Sequence, residues 1–170
     1  MSAVYPIRQI DLQDHTSQRI HCRRSPDAIS GLMTKSSKES PLRVVAGAVI
    51  DQGRSLVARR AMGGPDGGRW ELPGGKVQPN ESDAQALIRE LDEELGITIE
   101  VTGSLGVSEY ERPNLTIHLV GLLCRCVDGE LEAREHTELR WARANELSTL
   151  DWAPADLPLV AALRTHLLSL

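Results

Sequence analysis

The chain is predicted to fold as an α/β sandwich, a mixed β-sheet with helices against its faces, and three stretches carry that prediction. Arg43 to Ile50 (RVVAGAVI) is a β-branched apolar run suited to a buried strand. Between Ser82 and Gly96, apolar residues recur every three or four positions, the period of an amphipathic helix. Leu157 to Leu168 returns to that period near the C-terminus, with Asp156 placed to cap it and Pro158 in its first turn. With 170 residues and 41% hydrophobic content, one ordinary core and one folded domain are expected.

Taken in order, residues 1–40 are dominated by Arg, Ser, Gln, Asp and Lys without a lasting period, and read as a poorly ordered extension. His15, His21 and Cys22 fall in it, and Met33, just before the folded part, is a second candidate start. The folded domain is placed at residues 41–170. After the first strand, Asp51-Gln52-Gly53-Arg54 reads as a hairpin turn and Ser55 to Arg60 as the returning strand. A glycine-rich loop, Ala61 to Gly68, leads to a short strand at Arg69 to Leu72 and a Pro-Gly-Gly turn. Thr98 to Leu105, Ser108 to Tyr110 and Leu115 to Val127 are further strands, with Arg112-Pro113-Asn114 as a turn. Asp128-Gly129 suggests another hairpin; Glu138 to Trp141 is a short strand, and Arg143 to Leu147 a turn or short helix.

The net charge of −5 leaves no basic footprint for a nucleic acid polymer, so an acidic protein that handles polyanions needs local cations or metal. No apolar run reaches membrane-spanning length, and the N-terminus lacks the apolar region of a signal peptide. Cys22, Cys124 and Cys126 are odd in number and lack zinc-type spacing, which fits free thiols in a reducing cytoplasm. Cys124 and Cys126 share a strand face and are expected to be buried thiols rather than ligands.

The central helix carries the chemistry. Ser82 and Gln85 form a capping-box pair, Ala84, Leu87, Ile88, Leu91 and Leu95 form the apolar stripe, and Gly96 ends the helix. Glu90, Glu93 and Glu94 project to one side. Alone, such a face is as readily explained by solvation, because exposed like charges cost only about 0.2–0.5 kcal/mol per pair. In a cleft, a pair at about 4 Å repels by roughly 4 kcal/mol and calls for a proton or a divalent cation. The preceding Pro73-Gly74-Gly75-Lys76 favours the cleft, since two glycines admit close backbone approach and Lys76 suits phosphate.

Gly75, Glu81, Arg89-Glu90-Leu91, Glu93-Glu94 and Gly96-Ile97 together match every fixed position of the Nudix box, and the chain from Leu42 to Leu168 resembles the Nudix hydrolases. Trp70 to Val77 (WELPGGKV), Glu135-His136 with Leu139 and Trp141, and Ala153-Pro154-Ala155-Asp156 are similar to the MutT-like triphosphate pyrophosphohydrolases, in particular their CTP pyrophosphohydrolase branch. The resemblance implies a Nudix-type α/β/α sandwich with a mixed sheet.

It also implies that Glu90, Glu93 and Glu94, with the carbonyl of Gly74 or Gly75, hold Mg²⁺, or Mn²⁺ in its place, hard oxygen ligands being suited to both. Glu93, Glu94 and the distal Glu135 become the catalytic set, although Glu135 is equally well read as a solvated acid among Glu130, Glu132 and Glu138. Arg60 and Lys76 match positions that meet the triphosphate, and Leu72, Pro73, Gly74, Gly75 and Val77 complete the substrate-contacting turn. Only one of Arg59 and Arg60 can face the cleft if the strand alternates. Arg89 and Glu81 are expected to orient the box rather than touch substrate.

Asp156 matches a base-reading position. An ionised carboxylate only accepts, so it suits the exocyclic amine of cytosine, while guanine also offers donors. Trp70, Tyr110 and Trp152 are candidates to stack a base, but with so few aromatics the core is the safer expectation, and His118 is expected as a satisfied interior histidine. The implied activity is Mg²⁺-dependent cleavage of cytosine nucleoside triphosphates, methylated or oxidised forms included, to NMP and pyrophosphate in the cytoplasm. The partner is a small nucleotide, with no nucleic acid polymer and no membrane. Oxidised-dGTP hydrolysis is an alternative. So is ADP-ribose hydrolysis, because Pro113 lies sixteen residues beyond Ile97. A non-enzymatic Nudix binding module comes last, because all the box glutamates are present.

Overall fold

The computed structural model describes residues 40–170. The extension expected over 1–40, with His15, His21, Cys22 and Met33, lies outside the described residues, Ser40 apart. The described elements are β1 (Leu42–Asp51), β2 (Arg54–Arg59), β3 (Trp70–Glu71), α1 (Asp83–Leu95), β4 (Ile97–Arg112), β5 (Leu115–Gly129), β6 (Glu138–Ala142), α2 (Ala144–Leu147) and α3 (Leu157–Leu168).

The strands run in the order β3-β2-β1-β5-β4, with β6 paired to β2. β1 and β5 are parallel from Leu42↔Ile117 to Val49↔Cys124, whereas the other pairs are antiparallel, so the sheet is mixed as expected. The β1–β2 hairpin turns at Gln52 and Gly53, both at positive φ (48° and 69°), a geometry that matches the strand twist.

Strand alternation sends β1 residues to two cores. Val45 and Val49 pack with Leu56, Leu87, Leu91, Leu95, Ile97 and Val120 against α1. Ala46 and Ala48 pack with Val57, Leu119, Leu147, Leu159 and Leu163 on the side of α2 and α3. Gly47 lies beneath α1, where an added Cβ would sit 3.1 Å from Leu87, so the helix rests directly on the strand backbone. Trp70 and Trp152 are core residues as expected, the Trp152 indole N–H donating to the Leu147 carbonyl at 2.7 Å, whereas Tyr110 is only partly covered and belongs to neither core, with the Arg112 guanidinium 5.5 Å from its ring centre. Among the described residues no helix is long and apolar enough to cross a membrane.

Several expectations are corrected. The two strands expected at 98–105 and 108–110 are one strand, β4, because register shifts beside Gly103 and Gly106 absorb the glycines as bulges instead of ending the pairing. Asp128-Gly129 is not a hairpin: Gly129 still pairs with Ile97, and the chain crosses to β6 at the far side of β2. On α1 the buried positions are Ala86, Leu87, Leu91 and Leu95; Ile88 is exposed and Ala84 only partly covered, so the stripe is rotated from the one expected. His118 is half-exposed beside its cross-strand partner Glu109, 3.4 Å away, rather than an interior residue. Cys124 is buried, and burial pushes its thiol up to about 12, which makes it unreactive; Cys126 is exposed.

Candidate active site

Local sequence sets α1 firmly. The Ser82 hydroxyl accepts the Gln85 N–H, the Gln85 side chain accepts the Ser82 N–H, and Gly96 closes the helix at φ 69° with its N–H on the Asp92 and Leu91 carbonyls. The turn before it is tied to β1. Val45 N–H donates to the Gly75 carbonyl and Gly47 N–H to the Pro73 carbonyl, both at 2.8 Å. Gly74, with φ 151°, lies against the Val45 backbone where a Cβ has no room, and its carbonyl takes no hydrogen bond among the described residues. A Cβ on Gly75 would overlap the Glu90 carboxylate. Both glycines are therefore required by close approach.

Arg89 organises the box. Its guanidinium donates to Glu81 at 2.9 Å, to Glu90 at 2.8 Å, to Glu93 at 3.1 Å and to the Lys76 carbonyl at 3.0 Å. These bonds hold Glu81 below the usual carboxylate range and raise Arg89, as expected of an orienting pair. Of the three predicted metal ligands, Glu90 is mostly covered (15% exposed) and Glu93 is turned outward (56%). Glu94 lines the cavity.

Glu94 is the anomalous group. Its Oε2 is buried with no hydrogen-bond partner. Burial, with repulsion from Glu71, Glu90 and Glu135 and opposed by His136, pushes its carboxyl up to about 7. Among the described residues no three acids, histidines or cysteines are gathered into a ready ligand set. Even so, an orphaned carboxylate oxygen in a field of like charge, on a cavity that Gly74 with its spare carbonyl also lines, offers hard oxygen donors of the kind a divalent cation takes.

A cavity of about 640 Å³ is lined by both Glu94 and Asp156. Arg60, Leu72, Gly74, Gly75, Lys76, Glu94, Glu135 and Asp156 all line it, so the structure brings eight of the predicted site residues to one space. Glu90, Glu93, Pro73 and Val77 do not line it: Pro73 is buried, and Val77 packs against the α1 core. Between the neighbouring arginines, Arg60 faces the cavity, while Arg59 bonds the Gly68 carbonyl and pairs with Glu138. Lys76 is exposed and forms no ion pair among the described residues.

The segment joining β5 to β6 positions Glu135. Arg134 N–H donates to the Glu94 carbonyl at 3.1 Å, and its guanidinium to the Asp92 carbonyl at 2.8 Å, covering the C-terminal end of α1. That contact sets Glu135 on the cavity side, near enough to Glu94 to repel it.

Asp156 is 5% exposed. Its Oδ1 accepts the Leu72 N–H at 3.0 Å and makes no cap bond to α3, which corrects the capping expectation. Burial, only partly opposed by that bond and by Arg60 and reinforced by Glu71 and Asp66, pushes its carboxyl up to about 7. The aliphatic part of the lining comes from Val44, Ala46, Leu115, Ile117 and Leu119.

Four lining residues with ionisable side chains were given no role from sequence: Glu71, His136, Asp66 and Arg112. Glu71 bonds Arg60 on one side and His136 Nε2, at 3.0 Å, on the other. Asp66, at φ 59° in the glycine-rich loop, pairs with Arg112 at the end of β4. The placing of Glu71 opposite its strand neighbour Trp70 was available from alternation; the pairing of residues 66 and 112 had no local signal.

Known proteins resemble this chain closely. A family profile described as NUDIX domain matches residues 41–163. The CTP pyrophosphohydrolase of Escherichia coli K12 is 40% identical over 121 residues, which cover 71% of this chain and 90% of that protein. The 8-oxo-dGTP diphosphatase of the same organism is 32% identical over 124 residues, covering 72% and 96%. The solution structure of the E. coli ORF135 protein superposes with a TM-score of 0.65 at 39% identity, over 73% of this chain and 89% of that one. Nudix hydrolases generally use divalent metals and act on small nucleotides. The chain belongs to the Nudix hydrolase family, as a MutT-like nucleotide pyrophosphohydrolase.

Proposed function

We propose that the protein hydrolyses cytosine nucleoside triphosphates, ribo or deoxy and including methylated or oxidised bases, between the α- and β-phosphates to give NMP and pyrophosphate. The observation that carries this reading is one cavity lined by both the unsatisfied Glu94 carboxylate and the buried Asp156. The 40% identity to a CTP pyrophosphohydrolase supports the same substrate class.

Glu90, Glu93, Glu94 and the Gly74 carbonyl would hold Mg²⁺, with Mn²⁺ as a substitute. The bound ion supplies charge neutralisation of the polyphosphate and a water of lowered pKa. Arg60 and Lys76 bind the phosphates, with guanidinium and ammonium donors at the cavity wall. Glu135 orients the attacking water from the rim. The base packs on the aliphatic wall, and Asp156 reads its edge. Because Oδ1 is engaged by Leu72, Oδ2 is the atom left to accept the cytosine amine.

Oxidised dGTP is the second reading. A carboxyl that titrates near neutrality can donate as well as accept, and the 32% identical relative is named for that substrate. For ADP-ribose the sequence offers only Pro113, which forms with Asn114 the two-residue turn joining Arg112 to Leu115 and so has a local structural role.

The test is kcat/KM with Mg²⁺ for CTP, dCTP, 5-methyl-dCTP, 8-oxo-dGTP, the common triphosphates and ADP-ribose. Cytosine nucleotides at the head of the ranking support the proposal; 8-oxo-dGTP or ADP-ribose at the head replaces it.

A further inference from the structure

We infer that His136 is a positioning residue for the reaction, acting through Glu71 to hold Arg60 in one orientation at the cavity wall. The inference rests on the proposed reading of Arg60 as a phosphate-binding group.

Arg60 lies one residue past the end of β2 and is partly exposed. A free arginine there samples many rotamers, and freezing them on binding costs up to about 2 kcal/mol. Among the described residues its side chain makes one hydrogen bond, from Nη1 to Glu71 Oε2. That leaves Nε and Nη2 as donors for a phosphate, so the Glu71 bond fixes the fork without using it up.

Glu71 is itself fixed. It stands on β3, a strand of two residues held at its edges by Trp70 N–H on the Asp151 carbonyl and Ala153 N–H on the Trp70 carbonyl, both at 2.8 Å. Its carboxylate is mostly buried (14% exposed), and its second oxygen, Oε1, is 3.0 Å from His136 Nε2. His136 is almost fully buried (4% exposed), and it follows Glu135 in the segment that Arg134 and Thr137 N–H tie to α1 and β2. A buried imidazole that makes one hydrogen bond, with Nδ1 left without a partner, is expensive as packing alone. It is accounted for by the geometry it enforces: one carboxylate, two partners, and no rotation available to the group that aims Arg60.

The role is tested by a double-mutant cycle read as separate KM and kcat values for the best nucleotide. Removing a group that only positions a substrate ligand raises KM and leaves kcat nearly unchanged. His136→Ala should raise KM roughly five- to tenfold; any change in kcat reports the loss of its charge near Glu94 and persists in the Arg60→Ala background, where the KM effect does not. His136→Gln, whose amide can donate from near the Nε2 position, should recover most of the lost KM. In an Arg60→Ala background, His136→Ala should change KM by less than about twofold, because its effect has nowhere to act.

A full His136→Ala effect in the Arg60→Ala background overturns the inference alone. So does a fall in kcat at constant KM, or a His136→Gln variant no better than Ala. An Arg60→Ala variant with wild-type KM overturns the phosphate-binding reading of Arg60 as well, and this inference with it. Thermal unfolding of each variant separates misfolding from misplacement. Should His136→Ala not fold, His136→Phe, which fills the ring space without a donor, takes its place: the same KM rise is expected in the wild-type background and none in the Arg60→Ala background, and an unchanged KM in the wild-type background overturns the inference.

Discussion

Replacing Asp156 by asparagine should remove a pH dependence of stability that the fold builds in. The Asp156 carboxyl lies near 7 in the folded protein, raised first by burial, against an ordinary value of 3.8. The folded state therefore holds a proton that the unfolded chain has released across that interval. Where the folded state binds more protons, stability falls as pH rises. The loss begins above about pH 4 and is complete just above the folded value, near pH 7–8. A rise from 3.8 to about 7 corresponds to about 4 kcal/mol, an upper bound if the site relaxes or admits water when charged.

The Asp156→Asn side chain would keep an oxygen for the Leu72 N–H and would not ionise. The assay is urea unfolding of both proteins, without divalent metal, at half-unit steps from pH 4.5 to 8. Taking the difference between the two proteins cancels the other titrating groups, Glu94 and His136 among them. The variant should gain on the wild type across this range by about 3 kcal/mol, the remainder of the full effect falling below pH 4.5, or on the order of 2 M urea in midpoint. A difference that does not change with pH would refute the assignment of a buried, proton-holding Asp156.

Other outcomes follow from the same geometry. Glu94→Gln should reduce turnover by at least about 100-fold, the scale for losing a group that stabilises the transition state, while thermal stability is kept or improved because a buried charge is removed. Calorimetric titration with Mg²⁺ should show the metal affinity falling with it. Gly75→Ala should displace the Glu90 carboxylate and cost about 100-fold in kcat/KM, with little change in far-ultraviolet circular dichroism. Ser82→Ala, which breaks the capping box at the far end of α1, should cost about 1 kcal/mol and leave kcat unchanged. A loss of turnover in that variant would mean that the helix start, as well as its acidic end, controls the site.

How far the sequence was legible depends on the range of the interactions. Ser82–Gln85, Gly96 and the Gln52-Gly53 turn act over a few residues, and each appears where local rules put it. The helical spacing of Glu90, Glu93 and Glu94 was equally readable. Their unequal burial was not, because it depends on which face of α1 meets β1, and that face is set by Gly47 and Ala86 as much as by the leucines. The glycines of β4 looked like breaks because the pairing that bridges them comes from β5, a separate segment. Asp156 shows the limit most clearly. Its local context offered a helix cap, and the structure gives its oxygen to Leu72, 84 residues earlier in the chain. The Arg60–Glu71–His136 chain has the same character: three residues from three segments, joined only when β6 docks beside β2.

The proposed reaction is cleavage of a nucleoside triphosphate between the α- and β-phosphates, in one cavity, with a divalent cation on the acidic end of α1. It is tested most directly by separating the products of CTP turnover with Mg²⁺, with chelator, and with the Glu94→Gln variant. CMP and pyrophosphate in equal amounts are expected from the wild type, none with chelator, and at most about one-hundredth as much from the Glu94→Gln variant. CDP with orthophosphate, or turnover that survives chelation, would contradict it.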